Sequence, residues 1–194
     1  MYITHQYYHK YATTYFNTTV NSDVKVLYEH FLRYVSKGAK ILDLGCGSGR
    51  DIRAFLDMGY EVDAIDGSKE LARLASEYTG IRVKCIDFNQ LNEISIYDAV
   101  WACASLLHVT SQDLPSIMIR IRNTLKPSGV VYASFKYGDF EGIRDDRYFT
   151  DMTHDRFAEV LNKSSGFSII EEWYSDDVRA ENNTVWYNVI LRKV

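Results

Sequence analysis

The sequence Lys40-Ile-Leu-Asp-Leu-Gly-Cys-Gly-Ser-Gly-Arg50 joins a short apolar run to a stretch with helical spacing. This pattern predicts a buried strand that ends at Leu44, a tight turn, and a helix that begins near Gly49. Gly45, Gly47 and Gly49 carry no Cβ atoms, so the backbone can turn sharply there and approach a ligand closely. The free N–H groups at the start of the helix would favour a carboxylate or a phosphate.

Short apolar runs and stretches of helical spacing alternate along the rest of the chain. Strands are predicted at residues 40–44, 61–65, 81–86, 97–102, 130–135, 167–174 and 184–191. Helices are predicted between most of them, at residues 50–58, 68–78, 111–125 and 153–165. This alternation indicates parallel pairing, because a parallel crossover needs a covering helix. No helical pattern separates the last two strands, so an antiparallel pair is an open alternative there.

Two helices are predicted ahead of the first strand. Tyr7, Tyr11 and Tyr15 recur at i, i+4 and i+8, and apolar residues within 24–35 follow the same template up to Gly38. At 194 residues, the chain is long enough for one domain with a sizeable core and short for two.

We therefore expect a single domain over residues 1–194. Its parts would be the N-terminal helices at 1–37, a ligand-binding core at 38–136, and an acceptor-side segment with closing strands at 137–194. Within that last part, Gly138 to Met152 is predicted to be a charged loop.

The composition excludes several classes of protein. The chain has 22 basic and 26 acidic side chains, a net charge of −4, so it lacks the overall basic character of DNA-binding proteins, and RNA is disfavoured as well. No apolar run approaches the roughly 18 residues of a membrane span. Cys46, Cys85 and Cys103 form no Cys-x-x-Cys pair, so neither a disulfide framework nor a metal site is predicted. We expect a cytoplasmic protein, a monomer or weak dimer, with no membrane partner.

Three aspartates follow three predicted strands. Asp43 lies two residues before the first glycine of the turn, Asp66 lies 23 residues later, and Asp87 lies 21 residues after that. The carboxyl ends of parallel strands meet at one edge of a sheet, so we expect these carboxylates to share a ligand crevice. Carboxylates there would repel a pyrophosphate and suit a ligand with an ammonium group. The alternative for Asp66 and Asp87 is a helix cap or turn acid.

The glycine spacing also distinguishes between nucleotide-binding motifs. The turn has the form G-x-G-x-G, whereas the dinucleotide fingerprint is G-x-G-x-x-G, and no Gly-Lys-Ser/Thr follows as a P-loop requires. A nicotinamide-dependent oxidoreductase nevertheless stays an alternative at this point.

The segments ILDLGCGSGR, VDAIDGS, CIDFNQL, YDAVWACASLLHV and LKPSG resemble the ordered motifs of class I S-adenosylmethionine-dependent methyltransferases. The resemblance covers residues 40–135, and GCGSGRD is similar to the tellurite-resistance-type and general small-molecule methyltransferases. It implies a Rossmann-like, doubly wound α/β fold. Its sheet would have seven strands, mostly parallel with an antiparallel last strand, and the N-terminal helices would form a lid.

The resemblance also implies that the cofactor is S-adenosyl-L-methionine, with S-adenosyl-L-homocysteine as product. Asp43 would lie near the methionine ammonium, Asp66 would accept from both ribose hydroxyls, and Asp87 would accept from the adenine amine. The predicted donor-binding set is Asp43, Gly45, Cys46, Gly47, Arg50, Asp66, Gly67, Ser68, Asp87, Phe88, Ala102, Leu107 and Tyr15. Two members of this set, Arg50 and Tyr15, are suggested by their own chemistry and position rather than by the resemblance. Arg50 opens a helix, either as a surface residue or as a contact for a carboxylate. Tyr15 is either a core residue or part of a lid, where its ring could make a cation–π contact of about 0.5–2 kcal/mol with the sulfonium.

The candidates for acceptor chemistry follow the fourth and fifth strands. His108 lies just past the fourth strand and is the candidate general base, with a packing role as its alternative. Lys136, Arg144, Arg147 and Tyr148 are the candidate substrate residues, because clustered cations could attract an anionic acceptor. Acidic residues are interleaved with them, so a solvated loop with local ion pairs is the other interpretation.

We therefore predict methyl transfer to a small-molecule acceptor by in-line displacement. The chain lacks the Asn/Asp-Pro-Pro-Tyr/Phe loop of amino-methylating DNA enzymes and the Pro-Cys nucleophile of cytosine-5 enzymes, since its prolines are Pro115 and Pro127. Two alternatives stay open: a non-catalytic S-adenosylmethionine-binding module, and a methyltransferase of the tRNA wobble-uridine type.

Overall fold

The computed structural model describes residues 2–178 and 183–194 of the chain. The strands are β1 Lys40–Leu44, β2 Glu61–Asp66, β3 Val83–Cys85, β4 Tyr97–Ala102, β5 Leu125–Lys136, β6 Glu141–Arg144, β7 Arg147–Thr150, β8 Phe167–Asp176 and β9 Val185–Lys193. The helices are α1 Tyr2–Lys10, α2 Ala12–Thr19, α3 Lys25–Leu32, α4 Arg50–Asp57, α5 Lys69–Thr79, α6 Leu114–Thr124 and α7 His154–Ser164. None of the helices in these residues has the length and apolar character needed to cross a membrane.

Seven strands form one sheet in the order β3-β2-β1-β4-β5-β9-β8. The first five are parallel, and β9 runs antiparallel to both of its neighbours, β5 and β8. The predicted fold class is confirmed, and the open question of the last two strands is settled as an antiparallel pair. The strand order reverses between β1 and β4, which is where an open α/β sheet forms its ligand crevice.

Both faces of the sheet are covered, which explains the continuously apolar strands. Along β4, Val100 packs into the core on one face, while Trp101 packs on the other with Phe31 of α3 and Phe55 of α4. The Trp101 ring also stacks on Tyr132 of β5, with their centroids 4.1 Å apart. Because these side chains are fully buried, the ends of β1 and β4 are held firmly in place.

The N-terminal tyrosine stripe forms two helices where the spacing predicts one. Tyr11 separates α1 from α2 with φ −107° and ψ 19°, outside the helical region. The next helix is also shorter than predicted. It begins after Val24 and ends at Leu32, and Asp23 accepts the backbone N–H of Lys25 at 2.9 Å without occupying the cap position itself.

The prediction of a loop from Gly138 to Met152 is wrong, because this segment contains the β6–β7 hairpin. Arg144 pairs with Arg147, and the two residues between them, Asp145 and Asp146, have φ values of 50° and 59°. Two successive residues with positive φ form the type I′ turn that suits the twist of a tight hairpin. Aspartate tolerates this conformation better than most residues, so the hairpin forms without glycine.

Candidate active site

A cavity lies at the carboxyl ends of the parallel strands, beneath the N-terminal helices. It has an empty volume of about 490 Å³, counted with the part that opens to solvent. The core contributes the glycine turn, Asp66, Phe88, the turn after β4 and His108, while the N-terminal helices contribute Thr4, His5, Tyr8 and Tyr15. The cavity therefore combines residues from both ends of the sequence at the edge where the motifs predicted a ligand.

The glycine turn is shaped by positive φ angles and by close neighbours. Gly45, Gly47 and Gly49 have φ values of +79°, +54° and +78°, which glycine adopts without strain. A Cβ atom on Gly45 would lie 2.6 Å from the Cβ of Ser105, and one on Gly47 would lie 3.0 Å from the Tyr15 ring. Side chains at either position would therefore fill the cavity and displace its walls.

Asp66, the last residue of β2, is buried against this turn. Its Oδ2 accepts the backbone N–H of Gly47 at 2.9 Å, and its Oδ1 accepts that of Ser68 at 2.7 Å. Burial raises the pKa of Asp66 to about 6, although the two backbone donors oppose the shift. Each oxygen retains a lone pair, so the carboxylate can still accept hydrogen bonds from a ligand.

Asp43, in β1, is buried and is not among the residues that line this cavity. Within the described residues, its buried Oδ2 has no hydrogen-bond partner. Burial and the neighbouring Asp51 raise its pKa well above the usual value. An unpaired buried carboxylate is costly, so this position favours a ligand that brings a cation or a hydrogen-bond donor.

The Arg50 guanidinium is paired with the neighbouring Asp51 carboxylate. Its Nε and Nη2 donate to the two carboxylate oxygens of Asp51 at 2.7 and 2.9 Å. Asp51 also accepts the Tyr28 hydroxyl and the Trp101 Nε1–H. Arg50 is therefore part of a buried network, and its other contact is the Sγ of Cys103 at 3.8 Å.

Asp87 begins the short 3₁₀ turn Phe88–Gln90, in which Gln90 accepts the Asp87 backbone N–H. Its Oδ1 lies 3.2 Å from Nε2 of His5 in α1. Phe88 is buried beneath the glycine turn. The Asp87 carboxylate is thus covered by a histidine from the N-terminal helix.

His108 lies on the opposite wall with both ring nitrogens engaged. Its Nδ1 lies 2.6 Å from the backbone oxygen of Tyr148, which can only accept, so Nδ1 carries the hydrogen. Its Nε2 therefore accepts from the hydroxyl of Tyr8 at 2.9 Å. Burial, together with Arg147 and Lys136, lowers the pKa of His108 to about 4, so the ring is neutral at pH 7.

Three cations surround the ring of Phe149, which itself packs against His108 with ring centroids 4.9 Å apart. Lys136 Nζ lies 4.4 Å from the Phe149 centroid, and the guanidinium carbons of Arg147 and Arg144 lie at 5.1 and 5.4 Å. We call Lys136, Arg144 and Arg147 the cation cluster.

The cation cluster carries more positive than negative charge. Arg144 pairs with Asp151 at 2.8 Å, whereas Lys136 and Arg147 have no carboxylate partner in residues 2–178 and 183–194. Burial and the two arginines lower the pKa of Lys136. A local excess of positive charge beside His108 favours an anion there.

Comparisons with known proteins agree on one family. A family model described as a methyltransferase domain matches residues 41–129. The N-terminal Xaa-Pro-Lys N-methyltransferase 1-B of Xenopus laevis is 28% identical over 177 residues, which cover 84% of this chain and 79% of that protein. The ubiquinone biosynthesis O-methyltransferase of Xanthomonas axonopodis pv. citri (strain 306) is 34% identical over 116 residues, covering 53% of this chain and 47% of that protein.

A solved structure shares the fold across nearly the whole chain. It is Burkholderia thailandensis 1,6-didemethyltoxoflavin-N1-methyltransferase with bound 1,6-didemethyltoxoflavin and S-adenosylhomocysteine. The TM-score is 0.79 at 21% identity, and the match covers 99% of this chain and 88% of that chain. Residues 41–129 are therefore identified as a methyltransferase domain, and the chain is similar over most of its length to known methyltransferases. It spans about half the length of the curated ubiquinone-pathway relative that it matches.

In this methyltransferase, several of the predicted donor residues line one cavity. These are Gly45, Gly47, Asp66, Gly67, Phe88 and Tyr15, and the predicted base His108 lines it too. Asp87 borders it through its contact with His5.

Other predicted side chains point elsewhere. The Cys46 thiol packs with Ile52 and Ala64, Ser68 caps α5 by accepting from Leu71 N–H, and Ala102 and Leu107 pack into the core. The Tyr148 hydroxyl donates to Glu141, so it is the Tyr148 backbone that contacts the His108 ring.

The cavity is also lined by residues that are not in the predicted set: Thr4, His5, Tyr8, Leu71, Ala104 and Ser105. Tyr8 belongs to the N-terminal aromatic stripe, which is the one sequence signal that pointed to this helix. Thr4 and His5 carry no such signal, because their contacts are with residues far along the chain. Thr4 Oγ1, for example, accepts the backbone N–H of Tyr148 at 3.0 Å.

Proposed function

We propose that this enzyme transfers the methyl group of S-adenosylmethionine to a small anionic acceptor held beside His108 by the cation cluster. The observation that carries the proposal is the position of Lys136 and Arg147, two cations without carboxylate partners in the described residues. They lie around Phe149, which packs against His108, and His108 lines the same cavity as Asp66. Carboxylates suit the cationic donor, and the cation cluster suits an acceptor of opposite charge.

Asp43, Asp66 and Asp87 fit the donor. Its ammonium would satisfy the unpartnered Oδ2 of Asp43, and its ribose hydroxyls would donate to the lone pairs left on Asp66. The adenine would lie along Phe88 with its amine toward Asp87. A Cβ atom on Gly45, Gly47 or Gly67 would lie 2.6, 3.0 or 2.3 Å from Ser105, Tyr15 or His5, so only glycine fits at these positions. When bound, this donor supplies a methyl group on a positively charged sulfur, which is already activated for displacement.

The protein's main task would be to hold the acceptor in line with that methyl group. Positioning of this kind can lower the barrier by about 7–11 kcal/mol. Lys136 and Arg147 would bind the anionic part of the acceptor and so orient its nucleophilic atom. The motif similarity to tellurite-resistance-type and general small-molecule methyltransferases supports a small acceptor rather than a macromolecule.

His108 would act as general base for an acceptor that must lose a proton. Its Nδ1–H is fixed by the Tyr148 carbonyl, so Nε2 is the atom that would receive the proton. Burial and the nearby positive charge together hold the pKa of His108 near 4; an anion on the cation cluster would offset the charge and make the ring a stronger base. An acceptor that is already deprotonated would not need this step.

The proposal is tested by turnover on a panel of small acceptors, followed as release of S-adenosylhomocysteine. The panel pairs each carboxylate or other oxyanion with its neutral ester or amide. We expect turnover with anionic members, and a raised KM for them in Lys136→Ala and Arg147→Ala. Lys37→Ala, which precedes β1 at the opposite end of the strands, is the matched control and should not change KM.

Three results would overturn the acceptor assignment. A preference for the neutral member of each pair would contradict the role of the cation cluster. Binding of S-adenosylhomocysteine without turnover on any member would favour a non-catalytic binding module. Turnover on unmodified tRNA, with none on the panel, would support the wobble-uridine alternative instead.

A further inference from the structure

Helix α1 inserts neighbouring side chains into both halves of the active site. Thr4 Oγ1 accepts the Tyr148 backbone N–H at 3.0 Å, and the Tyr8 hydroxyl donates to His108 Nε2 at 2.9 Å. Between them in sequence, His5 Nε2 lies 3.2 Å from Asp87 Oδ1. One short helix therefore contacts Asp87, the candidate base His108 and the backbone of the β6–β7 hairpin.

His5 fills space in front of the nucleoside-side wall. A Cβ atom built on Gly67 would lie 2.3 Å from His5 Nε2 and 2.8 Å from two ring carbons, so the imidazole rests directly on the Gly67 backbone. The same ring faces the Asp87 carboxylate. Under the proposed function, Gly67 and Asp87 border the nucleoside of the donor. The imidazole and the nucleoside cannot occupy this space together.

Tyr8 blocks the candidate base His108 on the other side of the cavity. His108 has one nitrogen lone pair, on Nε2, because Nδ1 carries the hydrogen that the Tyr148 carbonyl accepts. The Tyr8 hydroxyl occupies that lone pair. While Tyr8 is in place, His108 cannot take a proton from an acceptor directly. Helix α1 thus places His5 against the Asp87 carboxylate and donates a hydrogen bond to the candidate base at the same time.

We propose that α1 is an autoinhibitory gate over the donor site. In the position that α1 has in the structure, His5 excludes the nucleoside. The Tyr8–His108 and Thr4–Tyr148 hydrogen bonds, which we call the latch, hold the helix there. The inference rests on the proposed function for the identity of the ligand. Because the donor binds only when α1 is displaced, its apparent affinity is reduced by the fraction of molecules in the open state.

A helix that excludes the donor and a lid that closes over it predict opposite changes in donor affinity. The two latch bonds lie on the acceptor side, away from Asp87 and Gly67. If α1 excludes the donor, weakening the latch frees the site and tightens donor binding. If α1 instead closes over a bound donor, weakening the latch removes part of the closed state and loosens binding.

The test is calorimetric titration of S-adenosylhomocysteine into the full-length protein and its Tyr8→Phe and Thr4→Val variants. Loss of one hydrogen bond should tighten binding by about fivefold. Tyr11→Phe is the matched control, since Tyr11 is exposed and lies outside the cavity, and its affinity should equal that of the unmodified protein. Binding by Tyr8→Phe with none by the unmodified protein would also support the gate.

Unchanged or weaker binding by both latch variants would overturn the gate while leaving the proposed function intact. Failure of every protein to bind would overturn the proposed function, and the gate with it.

Amide hydrogen exchange on the unmodified protein gives a second readout that needs no variant to fold. Saturating S-adenosylhomocysteine should speed exchange in residues 2–10 if α1 is displaced. Slower exchange there would contradict the gate.

Discussion

The hydroxyl of Tyr8 donates a 2.9 Å hydrogen bond to Nε2 of His108, one hundred positions further along the chain. This bond joins the N-terminal helix to the turn that follows the central strand of the sheet. The bond holds α1 over the cavity and fixes the neutral His108 ring between the Tyr8 hydroxyl and the Tyr148 carbonyl. The candidate base is therefore positioned by two segments that are distant in sequence.

Asp66→Ala should weaken binding of S-adenosylhomocysteine by about 2 kcal/mol, or roughly 30-fold, because the ribose hydroxyls would lose a charged acceptor. Calorimetry measures the change. Asp57→Ala, on the exposed side of α4, is the matched control and should bind like the unmodified protein. Affinity within twofold of the unmodified protein in Asp66→Ala would show that Asp66 does not hold the donor.

Stability should fall as the pH rises from about 4 to 7. Burial raises the pKa of Asp66 from 3.8 to about 6, so the folded protein holds this proton more tightly than the unfolded chain. The free energy of unfolding should therefore drop, by about 3 kcal/mol from this group, as the carboxyl ionises. Urea unfolding at several pH values tests this.

Asp66→Asn is the control for that pH dependence. The amide does not ionise, so the difference in unfolding free energy between the two proteins should grow through the same pH window. Parallel pH profiles for the two proteins would mean that Asp66 has an ordinary pKa. The comparison also removes the contribution of Asp43, whose pKa burial raises as well.

Arg147→Ala should raise the pKa of His108 from its value near 4, because one of the positive charges that disfavours the imidazolium is removed. Titration of the His108 ring signals by NMR measures this shift. Lys37→Ala should leave the titration unchanged. If neither variant moves the titration, the cation cluster does not act on His108.

Trp101→Phe should destabilise the fold by roughly 2 kcal/mol, since it leaves a gap beside Tyr132 and removes a donor from the buried Asp51. Chemical denaturation measures the loss. Trp186→Phe, on the partly exposed strand β9, is the comparison and should cost less. Equal losses would contradict the central role of the Trp101 stack.

The sequence alone predicts the structural features that depend on residues within one short segment. The strand ending at Leu44, the glycine turn and helix α4 follow from apolar periodicity and glycine spacing within one short segment. The position of Asp66 beside that turn follows from the rule that parallel strands end at the same edge.

Other features depend on contacts that local patterns do not encode. The β6–β7 hairpin turns at Asp145 and Asp146, where no glycine marks the positive φ angles. Arg50 pairs with its neighbour Asp51, although adjacent side chains on a helix do not normally face each other. The placement of His5 on Gly67 depends on how α1 packs across the finished sheet.

Binding of S-adenosylhomocysteine, compared with binding of NADH by calorimetry, examines the donor site most directly. The arrangement of Asp43, Asp66 and the glycine turn predicts a dissociation constant on the order of micromolar for S-adenosylhomocysteine, and no binding of NADH. Heat released by NADH alone, with none from S-adenosylhomocysteine in either the unmodified or the Tyr8→Phe protein, would contradict the assignment of this cavity.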